Sequence, residues 1–113
     1  MGACNFNIVK IGKFETAGTA YRQAKEEAEY ESGHDGYNGT ISTCNNLVIE
    51  KNAPRYNTKN FWDWVNKKQE SLNKRECVAV EITGTQFNNL KLNEGLHGKR
   101  GIKAFYLFGL AAE

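Results

Sequence analysis

The chain is 113 residues long, 25% charged and 40% hydrophobic, with a net charge of +2 at pH 7, the profile of one ordinary domain rather than a solenoid or a two-domain enzyme. No apolar run approaches the roughly 20 residues of a membrane span. The opening Met1-Gly2-Ala3-Cys4 carries no charged and apolar leader, so a cytoplasmic protein with no membrane partner is expected.

From Cys4 to Ile11 the chain alternates as a strand, with Phe6 and Ile8 on one face and Val9 and Ile11 on the other, a pattern compatible with burial on both sides. Ala17, Ala20, Tyr21, Ala24 and Ala28 recur at helical spacing between Thr16 and Ser32, so this segment reads as an amphipathic helix capped by Thr16 and closed by Gly33. Two short β-type runs, 40 to 44 and 47 to 51, flank Asn45-Asn46, which predicts a tight hairpin. Thr58 is placed to cap a second helix reaching about Asn73, with Phe61, Val65, Lys68 and Leu72 on its stripe and Trp62 and Trp64 beside it. Residues 76 to 83 alternate with Val78, Val80 and Ile82 inward, 86 to 92 read as an edge strand, and 102 to 111 are apolar on both faces as in a central strand. The expected fold class is α+β: a mostly antiparallel sheet with two helices packed on one face, a two-layer sandwich forming a single domain over 1–113.

The most distinctive stretch runs from Glu31 to Thr43. Its glycines, Gly33, Gly36 and Gly39, alternate with His34, Asp35, Tyr37, Asn38 and Thr40. Such a loop lets backbone N–H groups approach an anion closely, so residues 33 to 40 are candidate ligand-binding residues for a small nucleotide or phosphate. The loop leaves a helix and enters a strand-like run, the opposite polarity to the familiar phosphate-binding motifs. The competing reading is a structured connector in which Asp35 or Asn38 closes an Asx turn and Tyr37 packs on the core.

Charge is polarised along the chain. Residues 15 to 36 carry six acids against Arg22 and Lys25, a net of −4, and residues 51 to 75 carry seven bases against Asp63 and Glu70, a net of +5. Glu26, Glu27, Glu29 and Glu31 crowd the end of the first helix, where negative charge opposes the macrodipole; they read as a solvated face, and no metal site is assigned. In the basic segment, Trp62, Trp64, Lys67, Lys68, Lys74 and Arg75 are candidate partner-binding residues, because tryptophan and arginine dominate protein-binding hot spots. Direct nucleic-acid binding is the weaker reading, since the basic run lacks an arginine cluster.

Nucleophilic catalysis would need a base beside Ser, Cys or Thr, and the histidines are His34 and His97 alone. Cys4, Cys44 and Cys77 are an odd number, widely spaced and in or beside strands, which suits buried free thiols. No catalytic residue and no cofactor is assigned.

Three pieces of the chain, Gly2-Ala3-x-x-Phe6, Glu31-x-Gly33-His34-x-Gly36-Tyr37-x-Gly39-Thr40-Ile41 and Tyr106-x-Phe108-Gly109-x-Ala111, resemble a group of short proteins found in phage and prophage genomes. The likeness covers about a third of the chain, departs from the group's pattern at Leu110 and skips the second helix. It implies a phage-type, non-enzymatic binding protein that inhibits a host protein, with an anti-defence, anti-CRISPR-like inhibitor as one form. The alternative is sequestration or metal-assisted hydrolysis of a small nucleotide by loop 33 to 42, with His34 as general base and Glu31, Tyr37 and Thr40 as further working residues. A homodimer formed by edge pairing of the apolar last strand is a third reading.

Overall fold

The computed structural model describes residues 2–33 and 36–113. Four strands form one sheet: β1 (Ala3–Gly12), β2 (Asn46–Glu50), β3 (Glu76–Ile82) and β4 (Lys103–Ala112), in the order β1-β4-β3-β2. β4 runs antiparallel to β1 and to β3, while β2 lies parallel to β3. Three helices cover the sheet: α1 (Ala17–Ser32), α2 (Lys59–Glu70) and α3 (Gly84–Asn93).

The α+β class and the mostly antiparallel sheet are as expected from the sequence, and two helices do share one face, but the pair is α2 and α3. Side chains alternate across a strand, so Val78, Val80 and Ile82 of β3 join Ala104, Tyr106 and Phe108 of β4 beneath Phe61 and Val65 of α2 and Phe87 and Leu90 of α3. Cys77, Ala79, Phe105 and Leu107 point the other way and meet Ala17, Ala20 and Ala24 of α1. Apart from Glu76, Glu81 and Lys103, the strand residues on both faces of β3 and β4 are apolar, so the sheet has to be covered twice, and the two-layer expectation becomes three layers.

Local chemistry sets most boundaries. Thr16 and Thr19 form a reciprocal capping box, each hydroxyl accepting the other's backbone N–H at 3.3 and 3.2 Å. Thr58 caps α2 by accepting the Phe61 N–H at 3.2 Å. Gly33 closes α1 with φ 85°, its N–H donating to the Glu29 carbonyl at 2.8 Å.

Three expectations are corrected. Residues 40 to 44 and 47 to 51 form no hairpin: Ile41–Thr43 is a single 3-10 turn capped by Thr40, and β2 crosses over through α2 to pair with β3, as parallel strands require a crossover connection. Residues 86 to 92 lie in α3 rather than in a strand, because Phe87 and Leu90, three apart, both reach the α2 side of the core. The last strand offers no free edge for a homodimer, since β4 is paired on both sides. β1 is the edge instead, and Asn5, Asn7 and Val9 on its α2 side are exposed.

Candidate functional site

The glycine loop ends against β4. That strand is ten residues long, but β3 reaches along it only as far as Gly109, which leaves the backbone polar groups of Leu110 and Ala112 without a ladder partner on that side. Unpaired buried backbone groups are costly, and the loop together with Arg75, just before β3, supplies what β3 does not. Gly39 donates its N–H to the Ala112 carbonyl (2.8 Å), the Ala112 N–H donates to the buried Thr43 hydroxyl (2.9 Å), and Arg75 donates its N–H to the Leu110 carbonyl (2.7 Å).

Asn38 organises this closure. Its Oδ1 accepts the Thr40 N–H (3.0 Å) and hydroxyl (2.7 Å), an Asx turn, while its Nδ2 donates to the Gly33 carbonyl (3.3 Å) and the Ser42 hydroxyl (3.1 Å). Gly39 holds φ at 75° so that its N–H can face β4. Arg75, assigned from sequence to a partner surface, turns inward to the loop: its Nη1 donates to the Thr43 carbonyl (3.0 Å) and its guanidinium lies 5.0 Å from the centre of the Tyr37 ring. Tyr37 is thus exposed under an arginine instead of packed in the core. Gly36 is exposed, and His34 and Asp35 lie outside the described residues.

The candidate partner surface separates into inward and outward parts. Trp64 faces in, edge-on to Phe108 at 5.7 Å and beside Phe61 at 5.9 Å. Trp62 faces out at 37% exposure, yet its indole is held: Nε1 donates to Asn57 Oδ1 (3.2 Å), and the ring packs edge-on against Phe61 and Tyr106 at 5.0 and 5.5 Å. Asn57 reaches it from a left-handed backbone, φ 62°. Lys59 lies one turn before Trp62, and Lys67 and Lys74 are exposed without an ion pair to any described residue. Lys68 reaches across to Glu50 at 3.8 Å. Of the acidic cluster, Glu27 pairs with Lys10 of β1.

Cys44 and Cys77 are buried free thiols as expected, whereas Cys4 is only partly buried. Burial pushes the Cys44 thiol up to about 12, against a smaller opposing pull from Lys25 and Arg75, and burial raises Cys77 as well. Lys25 is itself engaged, donating to the Cys44 carbonyl at 2.6 Å. Burial is also the main cause raising the Tyr21 phenol, whose oxygen has no hydrogen-bond partner among the described residues. Among those residues no cluster of His, Cys, Asp and Glu is placed to hold a metal, and no helix is long and apolar enough to cross a membrane.

A cleft of about 830 Å³ went unanticipated. It opens where the parallel strands β2 and β3 end, with the first residues of α1 and α3 on its walls and Ala79, Val80 and Phe105 on its floor, the place where ligands settle in open α/β sheets. Lys51, Arg55 and Lys103 on its rim are balanced by Glu15, Glu50 and Glu81, so it favours neither charge. Its walls come from four separate stretches of chain, so no local motif announces it. Knowing that β2 and β3 run parallel is the one signal that points there.

Compared with protein-family models, with curated proteins and with solved structures, the chain matches none.

Proposed function

We propose that the protein is a non-enzymatic binding module that docks on a host protein through the outer face of α2 and blocks it. The observation that carries this reading is Trp62: a large aromatic at the surface, locked by Asn57, Phe61 and Tyr106 before any partner arrives. A rigid aromatic anchor loses little conformational freedom on binding, which is how tryptophan comes to dominate interface energetics. The exposed bases Lys59, Lys67 and Lys74 outnumber the exposed acids Asp63 and Glu70 on this side, a small positive excess that would steer it to an acidic partner. The resemblance of three stretches to short phage proteins is what suggests a partner in the cytoplasm of an infected cell, a defence component whose activity the bound protein would inhibit.

The test is capture from host lysate with the wild-type protein and with Trp62→Ala and Lys67→Glu variants of verified fold, followed by assay of the captured partner's activity. The reading expects both variants to bind more weakly and the wild type to inhibit. Equal capture by all three, or full partner activity at saturating occupancy, would sink it.

A second reading keeps residues 33 to 42 as a nucleotide- or phosphate-binding loop. It is favoured by the Arg75 guanidinium over Tyr37 at the loop's mouth, a cation and an aromatic ring beside exposed Gly36. A rise in melting temperature with nucleotides or cyclic dinucleotides that disappears in Tyr37→Ala would support it.

A further inference from the structure

We infer that β1 is a self-association edge, and that two copies of this chain pair antiparallel through it to form one continuous eight-stranded sheet about a twofold axis at Asn7. The two edges of the sheet differ. β2 is five residues long and runs into Pro54 soon after, the kind of short edge that resists pairing. β1 stays in register with β4 for ten consecutive residues, without proline or bulge. Its single charged residue is Lys10, whose amine is drawn to Glu27 on α1 and so does not guard the edge.

The direction of its free hydrogen-bonding groups follows from the ladder. The Glu113 N–H donates to the Gly2 carbonyl (3.2 Å), so even-numbered residues of β1 face β4, and Ala3, Asn5, Asn7, Val9 and Ile11 turn their N–H and C=O groups outward. None of these outward groups has a backbone partner among the described residues. With Asn7 opposite its own copy, the register sets Asn5 against Val9, Ala3 against Ile11, and Phe6 against Ile8. Every outward group from Ala3 to Ile11 then finds a partner. Lys10 meets Cys4, and the two Lys10 residues stand about 20 Å apart at the usual rise per residue, so no like charges face each other. Registers centred on Asn5 or Val9 leave part of the strand unpaired. The pairing also covers Val9, 38% exposed, and the half-exposed Phe6 and Ile8, whose opposition adds apolar cross-strand contact. An isologous patch of this kind closes at two copies and does not propagate.

The experiment is sedimentation equilibrium of the full chain over a wide concentration range, with Asn7→Pro, Asn7→Lys and Asn7→Glu beside it and circular dichroism as the check on folding. Proline is tolerated where the N–H faces solvent on an edge strand, and paired lysines or glutamates on the axis repel. The wild type is expected to rise with concentration toward twice its 12.7 kDa chain mass, and each variant to stay at one chain. An equimolar mixture of Asn7→Lys and Asn7→Glu is expected to dimerise again. A wild type that remains a single chain at its highest soluble concentration overturns the inference, and so does a dimer that survives all three substitutions. If Asn7→Pro fails to fold, the two charged variants and their mixture decide the matter alone.

Discussion

The glycine loop and the outer face of α2 treat their polar groups in opposite ways. At the loop, Asn38, Thr40, Thr43 and Arg75 turn toward one another and toward β4, and almost every hydrogen bond they make closes the chain on itself. On α2, Lys59 and Lys67 are exposed, and the indole of Trp62 is fixed yet partly open to solvent. The loop carries the most conspicuous sequence and the helix the least, yet the helix is the part left free to meet something else. A distinctive motif records a demanding local geometry, and that demand can be architectural.

The opening of the chain, the glycine loop and the closing strand make the same point, because they converge. Ala3 pairs with Ala112, Phe6 pairs with Gly109, and Gly39 donates to Ala112, so the opening, the loop and the closing strand build one end of the sheet. Gly109 is the tightest point. A Cβ there would lie 2.0 Å from the Glu76 carbonyl oxygen, backbone that cannot step aside, so Gly109→Ala should cost about 3 kcal/mol or more. Gly36→Ala is the matched control, with its nearest neighbour the end of the Arg75 side chain at 3.9 Å, and should be close to neutral. Urea unfolding of the two variants measures the difference. Equal stability would mean that Gly109 is not the constraint that the packing implies.

The loop's hydrogen bonds give a smaller effect than Gly109. Thr43→Val keeps the side-chain shape and leaves the buried Ala112 N–H without an acceptor, at a cost of about 1–3 kcal/mol. Asn38→Ala should cost a similar amount through the Asx turn and its two donated bonds. If either variant is as stable as the wild type but loses nucleotide-induced stabilisation, the loop is a ligand site first and a closure second.

Much of the fold was legible because its causes are local. The alanine stripe of α1, the Thr16 and Thr58 caps and the alternation of β3 and β4 each express a short-range rule. What was not legible depended on partners distant in sequence. Residues 40 to 44 look like a strand, but Asn38 and the uncovered end of β4 bend them into a turn. Residues 86 to 92 hold the helix formers Gln86, Leu90, Lys91 and Leu92 beside Asn88 and Asn89, and they become helical because Phe87 and Leu90 have a core to reach. The candidate site divides in the same manner. Helical geometry turns Trp62 and Trp64, two apart, to different sides of α2, whereas Arg75 was assigned by its residue type in a basic segment to a surface that it leaves for the loop. The cleft between β2 and β3 needed strand direction, which no stretch of this sequence displays.

Alkali should act on the loop side of the molecule first. The thiolate of Cys44 is what burial disfavours, so the folded chain keeps a proton that the unfolded chain releases above its ordinary value of 9.0. The unfolded state then binds fewer protons, and stability falls as pH rises from 9 toward 12, with no contribution below that window. Each buried thiol can contribute a loss of up to about 1.4 kcal/mol per pH unit. Tyr56 and Tyr106, raised by burial beneath α2, join only above 10.0. Melting temperature followed from pH 7 to 11 should therefore begin to drop near pH 9. In Cys44→Ala the decline between pH 9 and 10 should be shallower, measured against that variant's own value at pH 7. An onset near pH 10 in both proteins would assign the loss to the tyrosines and remove the thiol from the account.

A large and a smaller expected change in stability separate core from anchor on a single helix. Phe61 is fully buried and Trp62 is 37% exposed, although they are adjacent in sequence and packed edge-on at 5.0 Å. Phe61→Ala should cost about 3–5 kcal/mol, because it opens a cavity under α2. Trp62→Ala should cost less, about 2 kcal/mol, since over a third of the residue already meets water. Against a partner the order reverses in meaning: the same Trp62→Ala change should weaken binding by about 2 kcal/mol, roughly thirtyfold in affinity, in a protein that remains folded. Should Trp62→Ala destabilise the chain as much as Phe61→Ala does, the indole is serving as a lid on Tyr56 and Tyr106, and the contrast between a self-satisfied loop and an outward helix loses its anchor.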